Sequence, residues 1–168
     1  MFKSSHPLLA SVIGLAALLP LSASADDVVT KRFPSLELAM DIAKGAVDAC
    51  REAGYQVSAV VVDKSAVTQV VLRDALAARF TMRIAEDKAN AVVMSGVSSG
   101  VFRTNRADIK DEMNEVDGIL VLDGGLPIIA GGGMIGAIGV SGAPGGEKDE
   151  ACAAKGIEKV QERLDFAE

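Results

Sequence analysis

The chain has no tryptophan, one tyrosine and one histidine, and aromatics make up only 4% of its 168 residues. The core must therefore be built from Ala, Val, Ile and Leu. Basic residues are in deficit, 17 Lys+Arg against 23 Asp+Glu, a net charge of −6. That balance argues against nucleic acid as a partner, because phosphate contacts need a basic surface. The chain is also short of long apolar runs. The run from Leu8 to Leu19 falls short of the roughly 20 residues that a bilayer span needs. Lys3 ahead of it, Pro20 behind it and Ala23-Ser24-Ala25 beyond have the form of a signal peptide over residues 1–25, cut before Asp26. The expectation is a periplasmic or secreted protein whose mature part, 26–168, is a single domain with no membrane span. Loss of Lys3 takes the net charge to −7. His6 leaves with the signal segment. A Ser-His-Asp triad, a Cys-His pair, a His-based zinc site and an imidazole ligand to haem are then all excluded.

What remains is 49% apolar and 24% charged, a globular composition with material for a core. Ser35 reads as the cap of a helix from Leu36 to about Glu52, with Leu36, Met40, Ala43, Val47 and Cys50 as its buried stripe. Gln56 to Asp63 and Val67 to Leu72 read as two strands across a Lys64-Ser65-Ala66 turn. Thr81 to about Ser95 follows as a helix. Gly96 to Gly100 is a break, and Ala107 to Glu115 a polar helix. Gly118 to Leu122 reads as a third strand. Pro127 to Ala130 and Met134 to Ser141 form a hairpin across Gly131-Gly132-Gly133. A last helix covers Lys148 to about Leu164, with Ala153, Ile157, Val160 and Leu164 inward. Tight turns between neighbouring strands imply antiparallel pairing, and helices segregated from strands imply an α+β fold.

Few motifs carry chemistry. Gly131 to Gly136 matches the G-x-G-x-x-G string, but a strand follows it where the dinucleotide fingerprint requires a helix, so that reading is rejected. Eleven of the 17 glycines lie between Gly118 and Gly146. Gly136 and Gly139, inside a strand, imply close helix-on-sheet packing first, and a neighbouring subunit or flat ligand second. Gly142 to Gly146 precedes a helix and could cradle an anion. Glu147, Asp149 and Glu150 already place negative charge there, so ordinary capping is favoured. Arg73, Arg79, Arg83 and Lys88 make the one basic neighbourhood. Lys88 borders an apolar helix face, from which such a side chain usually reaches to water. Cys50 and Cys152, 102 residues apart, fit either a disulfide in an oxidising compartment or two buried thiols.

The stretch from Gly125 to Ala153, with its Gly139-Val140-Ser141-Gly142 and Asp149-Glu150-Ala151 blocks, resembles the GlcG/HbpS-like haem-binding family. Ala49-Cys50-Arg51, Gly54-Tyr55 and Val60-Val61-Val62-Asp63 resemble it too. The resemblance spans about residues 35–164. It implies a profilin-like domain, a five-stranded antiparallel sheet with helices on both faces, and a homo-oligomer. It implies haem as the ligand, or another tetrapyrrole, in haem and iron handling or sensing. It places Lys88, Arg79 and Thr81 near the pocket. Two positions depart from the family pattern. Asp63 is followed by Lys64-Ser65-Ala66 where relatives often have Asp-x-x-Gly, and Phe80 stands where many carry histidine.

The leading expectation is an exported haem- or tetrapyrrole-binding protein, with Tyr55, a methionine, a cysteine or a lysine as axial candidates and Thr81 as an oxygen donor. The alternatives are a small organic-acid binding module clamped by Arg73, Arg79 and Lys88, or a haem-degrading enzyme. Asp63 and Asp123 could serve as bases, but no nucleophile-base pair is legible. The strand Met134 to Ser141 is apolar on both faces, so helices, a second subunit or both must cover it.

Overall fold

A computed structural model describes residues 29–167, so the predicted signal segment and its cleavage site lie outside the described residues. The first helix, α1, is Leu36–Glu52, and the Ser35 hydroxyl accepts from the Leu38 N–H at 3.2 Å as its cap. Its buried face is Ala39, Ile42, Ala43, Ala46, Val47 and Cys50, while Leu36 and Met40 are exposed. The stripe is thus rotated from the expected one, because small alanines let the helix sit closer to the sheet than Leu or Met would. The strands β1 (Ser58–Asp63) and β2 (Thr68–Arg73) follow as expected, then α2 (Thr81–Ser95).

The turn between β1 and β2 has a local cost. Asp63 holds it, its carboxylate accepting from the N–H groups of Ser65 at 2.7 Å and Val67 at 3.0 Å. Ala66 sits at φ 61°, the left-handed region, at the position where the resemblance leads one to expect glycine. A Cβ there is unfavourable by about 1 kcal/mol. Ala66→Gly should therefore raise the unfolding free energy by about 0.5–1 kcal/mol in urea titration. An unchanged midpoint would show that the turn relaxes around the methyl group.

The middle of the chain departs from expectation. Ser98 caps a helix at once, accepting from the Val101 N–H at 3.2 Å, so α3 (Ser99–Asn105) begins inside the glycine break. The polar stretch after it forms only a short α4 (Lys110–Asn114). Residues 118–122 are not a strand. The Leu120 N–H donates to the Asp87 carbonyl of α2, and the Val121 N–H to the Asn114 side chain. With those donors spent on a helix and a side chain, no sheet edge is paired here. The described sheet therefore has four strands, not five, completed by β3 (Gly125–Ala130) and β4 (Gly133–Ser141). Two helices end the chain where one was expected, α5 (Gly146–Glu158) and α6 (Gln161–Asp165).

Sheet order is β2-β1-β4-β3, antiparallel throughout. Pro127 is accommodated because β3 is an edge strand. Helices α1 and α5 cover one face, packed on Ala59, Val61, Ile138 and Val140. Helix α2 covers the other, where Val60, Val62 and Ala137 meet Ala85, Ala89 and Val92. Gly139 is what permits this contact: a Cβ there would overlap the Ala85 carbonyl oxygen. Helices of the same chain thus bury β4 on both faces, and its apolar pattern calls for no second subunit. Cys50 and Cys152 form a disulfide that ties α1 to α5, Cα to Cα 5.4 Å. Residues Lys31–Glu168 make one compact unit. Among the described residues no helix is long and apolar enough to cross a membrane.

Candidate functional site

The loop from β2 to α2 carries the residues that best combine exposure with chemistry. Asp74 anchors it. Its N–H donates to the Val57 carbonyl at 3.0 Å, and its buried carboxylate accepts from Arg51 of α1 at 2.8 and 3.0 Å. At the far end the Thr81 hydroxyl donates to the Ala78 carbonyl at 2.7 Å and meets the Ser58 hydroxyl at 2.8 Å. Pinned at both ends, the loop holds large apolar side chains out to solvent. Leu76 is 83% exposed and Phe80 61%. Val71 of β2 faces the same side of the sheet as α2, which leaves it exposed.

Two cations belong to the same stretch. The Arg79 guanidinium lies over the Phe80 ring, 4.3 Å from its centroid. Arg73 is exposed and donates to the carbonyls of Ala75 and Ala77 within the loop. Residues 71–80 thus carry three exposed apolar side chains and two arginines within one short stretch of an acidic chain.

Lys88 lies elsewhere, inside the protein. It is 1% exposed, and its ammonium donates to Asp149 at 2.8 Å and to the Val140 carbonyl at 3.0 Å. Asp149 is 3% exposed, and its other oxygen accepts from the Ala143 N–H at 2.9 Å. The pair thus joins α2, β4, α5 and the Gly142 to Gly146 loop. Burial pushes the Asp149 carboxyl above its ordinary range, against the pull of the Lys88 ammonium and the Ala143 N–H. The acid expected to cap the last helix instead braces the loop ahead of it.

Tyr55 is also apart, on the face of the sheet covered by α1 and α5. Of the four residues singled out in the sequence, Arg79 and Thr81 therefore lie at one end of α2, while Lys88 is internal and Tyr55 is across the sheet. The clamp of Arg73, Arg79 and Lys88 is not assembled. Leu76 was not singled out; its signal was an apolar residue in a loop of small and polar ones. Asp123, a base candidate, is paired with Arg103 at 2.9 Å. It shares an acidic groove with Glu147 and Glu150, and burial pushes the Glu150 carboxyl up. Asp63 is occupied by its turn.

This architecture, an antiparallel sheet between one helix and a helix pair, is an α+β sandwich. The chain belongs to the HbpS-like family: the family described as haem degrading protein HbpS-like matches residues 35–158. Among solved structures, HbpS is 32% identical with a TM-score of 0.74, over 82% of this chain and 97% of that one. Klebsiella pneumoniae protein ORFY is 21% identical with a TM-score of 0.74, over 81% and 96% of the two chains. A PduOC:heme complex is 21% identical with a TM-score of 0.67, over 76% and 94%. These last two share the fold. No curated protein matches the sequence.

Proposed function

We propose that this chain binds haem or a closely related tetrapyrrole at the β2–α2 loop, as an exported protein of haem or iron handling. The observation that carries the reading is the joint exposure of apolar side chains and arginines along residues 71–80. A tetrapyrrole is a flat apolar body with carboxylates on one edge. Leu76, Phe80 and Val71 offer apolar surface to the body, and Arg73 and Arg79 offer guanidinium groups to the carboxylates. Family membership and the haem bound by the PduOC relative support the choice of ligand. When bound, haem would supply iron chemistry that the protein's side chains lack.

The described residues fit the body and carboxylates and contain no histidine for the iron. Thr81 is already engaged with Ser58 and Ala78, and Lys88 with Asp149. Met82, half-buried in the first turn of α2, is the soft donor next to the loop. Self-association also fits this segment, because β2 is an edge strand that carries the exposed Val71, and the loop after it carries the exposed Leu76 and Phe80.

Hemin titration of the purified protein tests the reading. A saturable Soret change is expected, without a bis-imidazole spectrum. Arg79→Ala and Phe80→Ser should each weaken binding about tenfold, the loss expected for a charged hydrogen bond or a buried aromatic contact. An N-terminus at Asp26 and a light-scattering mass above that of one chain are expected in the same preparation. No spectral change in a tenfold excess of hemin, or equal affinity in all three proteins, would overturn the site.

A further inference from the structure

A cavity of about 290 Å³ lies between α1 and α5, lined by Ala49, Ala53, Tyr55, Lys148, Ala151, Cys152 and Lys155. It is on the opposite face of the sheet from Thr81 and contains none of the residues assigned above to haem. We propose that it is a binding site for a small carboxylate carrying an apolar body, such as a single ring.

The local structure builds this site in three steps. First, α1 ends in a Schellman motif: the Gly54 N–H donates to the Arg51 carbonyl at 2.9 Å and the Tyr55 N–H to the Cys50 carbonyl at 2.8 Å. Gly54 takes φ 84°, which the motif requires. That turn fixes Tyr55 against the end of α1, so its ring forms a wall of set position. Second, the Cys50–Cys152 bond holds α5 beside this wall and gives the cavity an apolar floor. Ala49 and Ala53 are too small to fill the space between the helices.

Third, α5 sorts its charges. In its first turns Glu147 and Glu150 face the acidic groove with Asp123, whereas Lys148 turns to the cavity. The Lys148 ammonium stands 5.5 Å from the Tyr55 ring centroid and forms no ion pair among the described residues. Lys155, at the other side, is paired with Glu158 at 2.6 Å. A half-buried lysine whose ammonium stands over an aromatic wall beside an apolar floor matches a carboxylate with an apolar body. A ring packed beside Tyr55 would place its carboxylate toward Lys148, whereas an uncharged ring would offer that cation no opposite charge.

Benzoate is the probe, with neutral benzamide as its control, in amide NMR titrations of the full protein. Saturable shifts are expected at Tyr55, Lys148, Ala151 and Cys152. Benzamide and the Lys148→Gln variant should each bind about tenfold more weakly, and Tyr55→Leu, which keeps an apolar wall, should bind intermediately. An unchanged thermal midpoint in Lys148→Gln separates lost binding from lost folding. No saturable shift below about 10 mM benzoate, equal binding of benzamide, or shifts confined to residues 73–81 would each overturn the proposal. Hemin and benzoate are read at different residues, so either reading fails without the other.

Discussion

Replacing both Cys50 and Cys152 with alanine is expected to lower the unfolding free energy by about 4 kcal/mol. The bond closes a loop of 102 residues between α1 and α5, most of the folded unit. A cross-link of that span removes much of the conformational freedom of the unfolded chain, and the model of loop closure gives about 4.7 kcal/mol for 100 residues. Cys50 is fully buried and Cys152 nearly so, so alanine also leaves two small voids. Serine would be the poorer control, because it would bury two hydroxyls. In a domain of this size the thermal midpoint should fall by roughly 10–15 °C. Urea unfolding of the wild type, of the wild type held in excess thiol and of the alanine pair measures it. A loss below about 1 kcal/mol would mean that the purified protein does not carry the bond.

Removing one partner of the internal ion pair should cost nearly as much. Lys88→Met is expected to destabilise the protein by about 3–5 kcal/mol at neutral pH, because it leaves the Asp149 carboxylate buried without its cation. The loss should shrink on acidification. The folded-state pKa of Asp149 is already raised above the ordinary 3.8 by burial, and loss of Lys88 raises it further. A raised carboxyl holds its proton more tightly in the folded state, so its contribution is fully present below the unfolded value and is lost as pH rises through the folded one. Relative to wild type, Lys88→Met therefore recovers as pH falls toward 3.8. The pair Lys88→Met with Asp149→Leu should be less destabilising than Lys88→Met alone, since no buried charge remains. An additive double variant would show that the two groups do not interact.

The pair illustrates how much of the site could be read from residues. Lys88 was visible as a lysine on the edge of an apolar face, between Ile84 and Val92. Its partner was not, because Asp149 lies 61 positions away and looked like one of three acids capping a helix. The same holds for Tyr55 and Arg79. Both are legible as side chains able to meet a ligand, but only the sheet's two faces reveal that they serve different surfaces. Conversely, Phe80 and Leu76 belong to one loop in the sequence, and their joint exposure depends on Asp74 and Thr81 pinning its ends.

The elements whose signals are local were legible in the residues alone. Ser35 and Gly54 bound α1, Lys64-Ser65-Ala66 turn the chain between β1 and β2, and the glycines after β3 lead into a strand rather than a helix. Those outcomes depend on a few neighbouring residues, so periodicity and turn chemistry suffice. Tertiary structure decided the rest. It rotated α1 onto its alanines, drew residues 118–122 onto α2 in place of a fifth strand, and chose the disulfide over two free thiols. It also covered β4 on both faces from within one chain, through the contact that Gly139 leaves open to Ala85. Each of these depends on groups far apart in sequence competing for one hydrogen bond or one volume, and the winner is fixed only when helices and sheet pack together.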